Sequence, residues 1–392
     1  MVSIDMRKSS IRDFMKEKGW LEQRCSGCGK IFFTKQKDEV SDSICGWHKC
    51  KNDNYSFRKL SKRKSLIKPE KINLSICKFF RSKGFELKQS LNVANDDGLT
   101  DLIVAGVQIF DSIIHRGEAI KPEKMLISQP CVRMQFQPII KDKDGISTSF
   151  VNICTEQMGG SFTEHLEYVD DWVSALSQLG LFVNDFTVVM NESVDDWGTG
   201  EFTKIELFFL YGDLELGDAS YFEIPQKDRD PIVISDIGFG LERISWALNK
   251  SETYFDTLMP LAFLGDREMF DSCRTLSLLS ICGVKASNKG PGLQFRRFAK
   301  VISEKYFTVD IYEILAFYFD YWSNFIDPVI PKSEAVNNAR IEIERLVNLR
   351  ICGMLGLPLP QKETMDAYLD RLVYTFNIDI NQLREAVGIC RK

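Results

Sequence analysis

Apolar residues recur at helical spacing in two stretches of the chain, and each stretch ends at a glycine. The first has its apolar positions at Ile11, Phe14 and Met15, before Gly19. The second repeats the period over residues 166–176, before Gly180. This spacing places the apolar positions on one helical face, and glycine readily adopts the left-handed conformation that ends a helix. The pattern therefore predicts two amphipathic helices that stop at these glycines.

Short runs rich in β-branched and aromatic residues fill the middle of the chain. They are Phe186–Met190, Ile205–Tyr211 and Pro231–Ile234. Turn residues separate them, and they do not alternate with helices in regular strand–helix–strand units. Neither a Walker-type phosphate loop nor a GxGxxG after a strand occurs, so the common nucleotide-binding folds are not indicated. The pattern predicts an antiparallel sheet in a protein of the α+β class.

Length and composition indicate a folded protein of two or three domains. The 392 residues exceed what one hydrophobic core usually fills, and 44 % hydrophobic with 27 % charged residues excludes disordered and fibrous proteins. A net charge of -5 excludes a generally basic nucleic-acid coat. Residues 51–68 nevertheless hold seven basic residues against one acid. Such a stretch is either a contact for a phosphate backbone or a solvated linker.

The chain has 11 cysteines and only 3 histidines. The number of cysteines is odd, no signal peptide precedes them, and most stand singly among apolar residues. Buried free thiols of this kind are typical of a reducing compartment. No run of about 18 apolar residues occurs, so we expect no membrane span. The sequence thus predicts a cytoplasmic protein.

Four of the cysteines form two knuckles near the N-terminus. Cys25 and Cys28 make a CxxC turn, and Cys45 and Cys50 follow after 16 intervening residues. Four thiolates suit the tetrahedral coordination of structural zinc, and the metal would stabilise a segment that is too short to build its own core. His48 could replace Cys50 as the fourth ligand. A set of unpaired buried cysteines is the alternative without a metal.

A predicted hairpin carries the first candidate for nucleotide binding. Its strands are residues 127–133 and 148–153, and a polar loop joins them. The first strand ends at Arg133 and the second begins near Phe150, which places a guanidinium for phosphate beside an aromatic platform. An exposed hairpin can also carry an arginine without binding a ligand.

The second candidate is a strand that runs into a helix over residues 235–244. Gly238 and Gly240 leave room for a flat ligand against the backbone, and Arg243 in the first helical turn can meet a phosphate.

These two segments resemble motifs 2 and 3 of class II aminoacyl-tRNA synthetases, and their residues are similar to those of the alanyl-tRNA synthetase family. The cysteine module is similar to the zinc-bearing leader of archaeal-type members, and residues 271–297 resemble the helical domain that holds the tRNA acceptor stem. The resemblance implies a class II antiparallel sheet flanked by helices, with an N-terminal zinc module and a C-terminal helical domain. It divides the chain into residues 1–65, 66–262 and 263–392.

The resemblance also implies roles for the matching residues. The implied ATP-binding residues are Arg133, Phe150, Gly240, Glu242 and Arg243. The implied amino-acid-binding residues are Trp197, Asp236 and Gly238. The implied tRNA contacts are Asn288, Arg296 and Arg297. Both Arg133 and Arg243 would be catalytic, because fixed guanidinium groups stabilise the charge that develops on phosphorus.

ATP, Mg²⁺ and structural Zn²⁺ are the cofactors that the resemblance implies. Glu206 and Glu242 are candidates for binding magnesium or for orienting Arg243. Two simpler interpretations stay open, since Trp197 could be a core residue and Asp236 could cap the following turn.

Several positions depart from the family pattern. The motif 2 loop reads Lys141–Ser147, Val151 follows Phe150 where the family has glutamate, and Gly200–Phe202 replaces the family's Gly-Pro-Cys. Pro291 stands where arginine is usual, and Tyr374 where aspartate is expected. By this resemblance, the loop departures fall on groups that would help hold ATP and the acceptor end, and the others fall on the amino-acid pocket and on the positions that read the acceptor stem.

The predicted function is ATP-dependent activation of alanine or a similar small amino acid, followed by transfer to tRNA. The chain ends within the helical region, and its histidines, His48, His115 and His165, lie upstream of it. We therefore expect a truncated paralogue without the family's editing and C-terminal domains. Two alternatives are a paralogue that serves a non-ribosomal acceptor, such as a carrier protein or small molecule, and a catalytically inactive tRNA-binding module.

Overall fold

Nine strands in the described part of the chain form one sheet. They are β1 (Leu21–Arg24), β2 (Ile31–Thr34), β3 (Glu86–Leu87), β4 (Lys124–Val132), β5 (Ser149–Met158), β6 (Phe186–Asp196), β7 (Glu201–Tyr211), β8 (Leu214–Gln226) and β9 (Arg229–Gly240). The computed structural model describes residues 3–35, 44–50, 55–60, 67–94, 100–116, 122–134, 145–198, 200–226, 229–258, 266–307, 310–357, 359–360 and 363–387.

The strand order is β1-β2-β6-β7-β8-β9-β5-β4-β3. Every neighbouring pair is antiparallel except β3 with β4. The predicted α+β class with an antiparallel sheet is therefore confirmed. The strands in the structure are longer than the apolar runs that predicted them. Hydrogen-bonded pairing continues through polar residues at the strand ends, as at residues 191–196 of β6.

Helices flank the sheet and continue beyond it. They are α1 (Ile4–Glu17), α2 (Pro69–Ser82), α3 (Asp111–Arg116), α4 (Phe162–Leu179), α5 (Leu241–Asn249), α6 (Tyr254–Leu258), α7 (Arg267–Ile281), α8 (Gly290–Ser303), α9 (Ile311–Trp322), α10 (Lys332–Leu355), α11 (Met365–Asp370) and α12 (Ile380–Val387). Shorter 3₁₀ turns include Gly106–Phe110. Among the helices described, none is long and apolar enough to cross a membrane.

Both helices predicted from apolar spacing are confirmed as α1 and α4. The α4 helix begins with a capping box, in which Ser161 Oγ accepts from the Glu164 N–H at 3.2 Å and Glu164 Oε2 accepts from the Ser161 N–H at 2.9 Å. It ends at Gly180, whose φ of 106° suits only a residue without a side chain. The φ of Gly19 is likewise positive, at 78°.

One face of the sheet is covered by α1, α2, α4 and α5, which bury the main hydrophobic core. Trp172 of α4 shows how the packing works. Its ring stacks on Phe239 at 4.5 Å between centroids, and its indole N–H donates to Thr155 Oγ1 at 2.8 Å. Thr155 and Phe239 belong to the covered face, so their neighbours along each strand face the opposite side of the sheet.

The cysteine-bearing segment joins the same sheet. Residues 32–34 of β2 pair with residues 187–189 of β6, so β1 and β2 form one end of the sheet.

Both predicted domain boundaries, at residues 65–66 and 262–263, lie outside the described residues. Lys51, Lys62, Arg63 and Lys64 of the basic stretch lie outside them as well.

The close approach of β8 and β9 gives a stability test. A Cβ atom at Gly217 would lie 2.2 Å from the Gly238 carbonyl oxygen and 2.7 Å from Phe239 Cα, so the strands would have to separate. We expect Gly217→Ala to lower the free energy of unfolding by about 1–3 kcal/mol, measured by urea denaturation.

Gly353→Ala is the matched control. Gly353 lies inside α10, and a Cβ atom there meets nothing within 4 Å. Alanine should stabilise this helix by about 0.5–1 kcal/mol. Equal effects of the two substitutions would contradict the close strand contact.

Candidate active site

A cavity of about 610 Å³ opens on the sheet face that is not covered by α1, α2, α4 and α5. Strands β5, β7, β8 and β9 form its floor, and residues 104–115 with the first turn of α5 line its sides. The cavity brings together all eight residues predicted for ATP and the amino acid. They are Arg133, Phe150, Trp197, Asp236, Gly238, Gly240, Glu242 and Arg243.

Arg133 and Phe150 face each other across the predicted hairpin. Arg133 follows the last residue of β4, and Phe150 is the second residue of β5. The guanidinium carbon lies 4.8 Å from the centre of the Phe150 ring, and Arg133 Nε donates to the Val104 carbonyl at 2.9 Å. One side of the guanidinium is thus fixed, and the remaining N–H groups can meet an anion.

Arg243 lies in the first turn of α5, directly after the strand that carries Gly238 and Gly240. Its Nε donates to the Gly145 carbonyl at 3.0 Å, and its Nη1 donates to the Glu215 carbonyl and Oε1 at 3.1 and 3.2 Å. The carboxylate that pairs with Arg243 is therefore Glu215 of β8, which the sequence did not identify.

Glu242 points to the protein interior and is only 1 % exposed. Its carboxylate accepts from the Val151 N–H at 3.0 Å, from the Tyr321 hydroxyl at 3.0 Å and from the buried Arg274 guanidinium. Burial raises the pKa of Glu242, and Arg274 opposes that shift. These donors occupy the carboxylate, so it does not fit a magnesium ligand.

Acidic groups crowd the floor of the cavity on neighbouring strands. Asp236 of β9 is paired in register with Ser220 of β8 and with Glu156 of β5. Burial and then the charge of Asp236 raise the pKa of Asp218 to about 7, and the same two causes raise the pKa of Glu156 well above its usual range. Crowded carboxyl groups of this kind favour binding of a cation such as a primary ammonium.

Trp197 borders the acidic floor. Its ring meets the edges of Phe202 and Phe222 at 6.4 and 5.5 Å between centroids. These three rings give the cavity an apolar end.

Glu206 also lines the cavity and is buried. It accepts from Asn191 Nδ2 and Ser193 Oγ, both at 2.8 Å, and its Oε1 pairs with Lys204 Nζ at 3.0 Å. With its oxygens engaged in this way, Glu206 does not fit a magnesium ligand either. Together with Lys204, it instead forms a polar part of the cavity lining.

Asn152 and Asp218 are cavity residues that the sequence analysis missed. A Cβ atom at Gly238 would lie 2.7 Å from Asn152 Oδ1, so the absence of a side chain at Gly238 leaves room for this amide. Asp218 and Ser220 hold alternate positions of β8 together with the buried Phe222 and Ile224. Polar residues at alternate positions of an apolar strand face are the signal that could have identified this site.

The four knuckle cysteines converge beside β2 and β6. Their sulfurs all lie within 4.8 Å of one another, with Cys25–Cys50 at 3.6 Å and Cys28–Cys45 at 3.7 Å between Sγ atoms. Four sulfurs at the Zn–S bond length in a tetrahedron lie about 3.8 Å apart. The cluster fits zinc, and His48 is not part of it.

Within the cysteine cluster, burial raises the pKa of Cys45 and raises that of Cys50 to about 11, whereas Cys25 favours its thiolate form. Burial opposes ionisation of Cys25, but hydrogen bonds from the backbone N–H groups of Cys45, Cys28 and Gly27 outweigh it and lower its pKa to about 6. Zinc binds the thiolate form.

The predicted tRNA contacts lie on the helical region, outside this cavity. Asn288 precedes α8, and Arg296 contacts both Asn288 Oδ1 and, at 3.2 Å, Glu342 Oε1. Arg297 is exposed. The start of α8 approaches the cavity, because a Cβ atom at Gly290 would lie 3.4 Å from Asp101 Oδ1 and the adjacent Thr100 lines the cavity.

The chain is similar in sequence to archaeal alanine–tRNA ligases. It is 26 % identical to the enzyme of Methanosarcina acetivorans over 277 residues, which cover 63 % of this chain and 28 % of that protein. It is 24 % identical to the enzyme of Methanosarcina barkeri over 412 aligned residues, which cover 92 % of this chain and 42 % of that protein. The likeness to alanyl-tRNA synthetases is confirmed, and the chain spans less than half the length of these relatives.

No protein-family model matches the chain. Among solved structures, PylSc of Desulfitobacterium hafniense, a pyrrolysyl tRNA synthetase, is similar with a TM-score of 0.37 and 17 % identity, covering 53 % of this chain and 76 % of that one. A likeness of this size carries no argument about function.

The cysteine geometry predicts one bound zinc ion per chain, measured by metal analysis of the purified protein. Cys28→Ser and Cys50→Ser should each lower the zinc content, and they should lower the melting temperature by several degrees, because metal binding contributes to folding. Cys282→Ser alters a buried cysteine outside the cluster and should leave the zinc content unchanged. A zinc-free wild-type protein of normal stability would contradict the site.

Proposed function

We propose that the chain activates a small amino acid with ATP as an aminoacyl-adenylate and transfers the aminoacyl group to tRNA. The observation that carries the proposal is the convergence of Arg133, Phe150, Arg243 and Asp236 in one cavity, although they come from two separate segments of the chain. The sequence similarity to alanine–tRNA ligases supports it.

The first half-reaction joins the amino acid to the α-phosphate. An oxygen of the substrate carboxylate attacks the α-phosphorus, the bond to the bridging oxygen breaks, and pyrophosphate leaves with that electron pair. Arg133 would contact the α-phosphate, and Arg243 would contact the outer phosphates. Guanidinium groups that are fixed before the reaction stabilise the developing charge without reorganisation.

The ATP base and the amino acid would lie at opposite ends of the cavity. Phe150 offers its ring to adenine, and Gly240 gives the nucleotide close access to the backbone. Asp236 would bind the substrate ammonium, and Gly238 would leave space above the strand. Trp197 borders the apolar end, which suits a small side chain such as that of alanine.

The second half-reaction needs an acceptor hydroxyl. The tRNA terminal hydroxyl would attack the carbonyl carbon of the adenylate and lose its proton, and AMP would leave. Asn288, Arg296 and Arg297 lie in or just before α8, whose start approaches the cavity, and they would contact the acceptor stem. Magnesium is expected to accompany ATP.

ATP–pyrophosphate exchange over a panel of amino acids tests the first half-reaction. Alanine or a similarly small amino acid should support exchange in the wild-type protein. Arg243→Lys should lower kcat/KM by about 10²–10³-fold, because a point charge does not replace the planar guanidinium. Asp236→Asn should raise KM for the amino acid.

Arg340→Lys serves as the control for the exchange assay. It alters an arginine on α10 whose contact with Glu344 lies far from the cavity, and it should leave exchange unchanged. Exchange that survives Arg243→Lys in full would refute the proposed phosphate contact.

Charging of total tRNA tests the second half-reaction. Arg297→Ala should raise KM for tRNA several-fold and should reduce the salt dependence of binding, since one phosphate contact is removed. Lys78→Ala, an exposed lysine on α2, is the charge-matched control. Robust exchange without any charged tRNA would instead indicate another acceptor, such as a carrier protein.

A further inference from the structure

Trp47 has contacts that zinc binding does not explain. It lies between the knuckle cysteines Cys45 and Cys50 and is 8 % exposed. Its ring stacks on Phe208 of β7 at 4.5 Å between centroids, and Lys30 Nζ lies 5.3 Å from its ring centre. Phe208 also lines the candidate active site, so the cysteine module reaches the wall of that cavity.

The indole N–H of Trp47 has a specific acceptor on the neighbouring β8 strand. Trp47 Nε1 donates to Glu215 Oε2 at 2.9 Å, while Glu215 Oε1 pairs with Arg243 Nη1 at 3.2 Å. One carboxylate therefore links a residue of the cysteine module to the guanidinium that we assign to the ATP phosphates.

This arrangement limits the movement of Arg243. Glu215 is held at both oxygens, so its carboxylate cannot turn without breaking one contact. Arg243 is further held through Nε by the Gly145 carbonyl, which leaves Nη2 without a protein partner among the described contacts. A guanidinium fixed in this way keeps one nitrogen for a ligand, and reactions of phosphates are sensitive to such placement.

We propose that Trp47 is a positioning residue that orients Arg243 for ATP through Glu215, so that the zinc-binding module sets the geometry of the phosphate site. The inference rests on the proposed function, because it takes ATP as the ligand of Arg243. It assigns the module a second role besides stabilising the fold.

Trp47→Phe separates the hydrogen bond from the packing. Phenylalanine keeps an aromatic ring for Phe208 and lacks the N–H donor. In pyrophosphate exchange, KM for ATP should rise about three- to tenfold, the scale of one lost hydrogen bond, while KM for the amino acid stays unchanged. Zinc content should equal that of the wild type, because no ligand is altered.

Glu215→Gln and the double variant test whether the effect passes through the carboxylate. Glu215→Gln should raise KM for ATP as well. The double variant Trp47→Phe with Glu215→Gln should show clearly less than the product of the two single effects, because both substitutions interrupt one chain of contacts.

Trp172→Phe is the matched control. It removes an indole N–H bond to Thr155 and buried volume on the covered face of the sheet. The control should lower the melting temperature and leave KM for ATP unchanged. Equal shifts in KM for Trp47→Phe and Trp172→Phe, or independent effects of Trp47 and Glu215, would overturn the proposal.

Calorimetric titration with ATP keeps the two hypotheses distinguishable. If the wild-type protein binds ATP but shows no exchange, the proposed reaction fails, and the dissociation constants of the same variants still decide the role of Trp47. If the wild-type protein does not bind ATP, both the proposed function and this inference are overturned.

Discussion

The buried pair between Arg274 and Glu242 is the contact on which the cavity depends. Both side chains are 1 % exposed, and the guanidinium carbon lies 4.4 and 4.3 Å from the ring centres of Tyr321 and Trp322. Removing one partner of such a pair leaves an uncompensated buried charge, which costs about 3–5 kcal/mol. The pair joins α5 to the helical region, so both parts must fold together for either charge to be compensated.

The same contact explains why two distant segments meet with defined geometry. Glu242 accepts from the Val151 N–H and immediately precedes Arg243, while Val151 immediately follows Phe150. Helix α7 adds further bonds at the start of β5, since Asp271 accepts from the Thr148 N–H at 2.8 Å and Thr275 Oγ1 contacts Ser149 Oγ at 2.9 Å. The helical region thus holds β5 and α5 in place around the cavity, and the cysteine module packs on β7 and β8.

Local features of this fold could be predicted from the sequence, and its long-range contacts could not. The helix ends at Gly19 and Gly180 and the hairpin that leads to Arg133 depend on neighbours within a few residues. By contrast, Trp47 and Glu215 are separated by 168 positions, and only the complete strand order brings them together. The partner of Arg243 was missed for this reason, whereas its place at the start of a helix was predicted.

The position of β2 beside β6 has a consequence for the behaviour of the molecule in concentrated solution. Residues 187–189 of β6, which include the buried Val188 and Val189, satisfy their backbone through β2. Without this cover, β6 would present an open, apolar strand edge, and such edges recruit strands of other chains. An intact cysteine module therefore covers this edge, and loss of the module would leave β6 open to pairing with other copies of the chain.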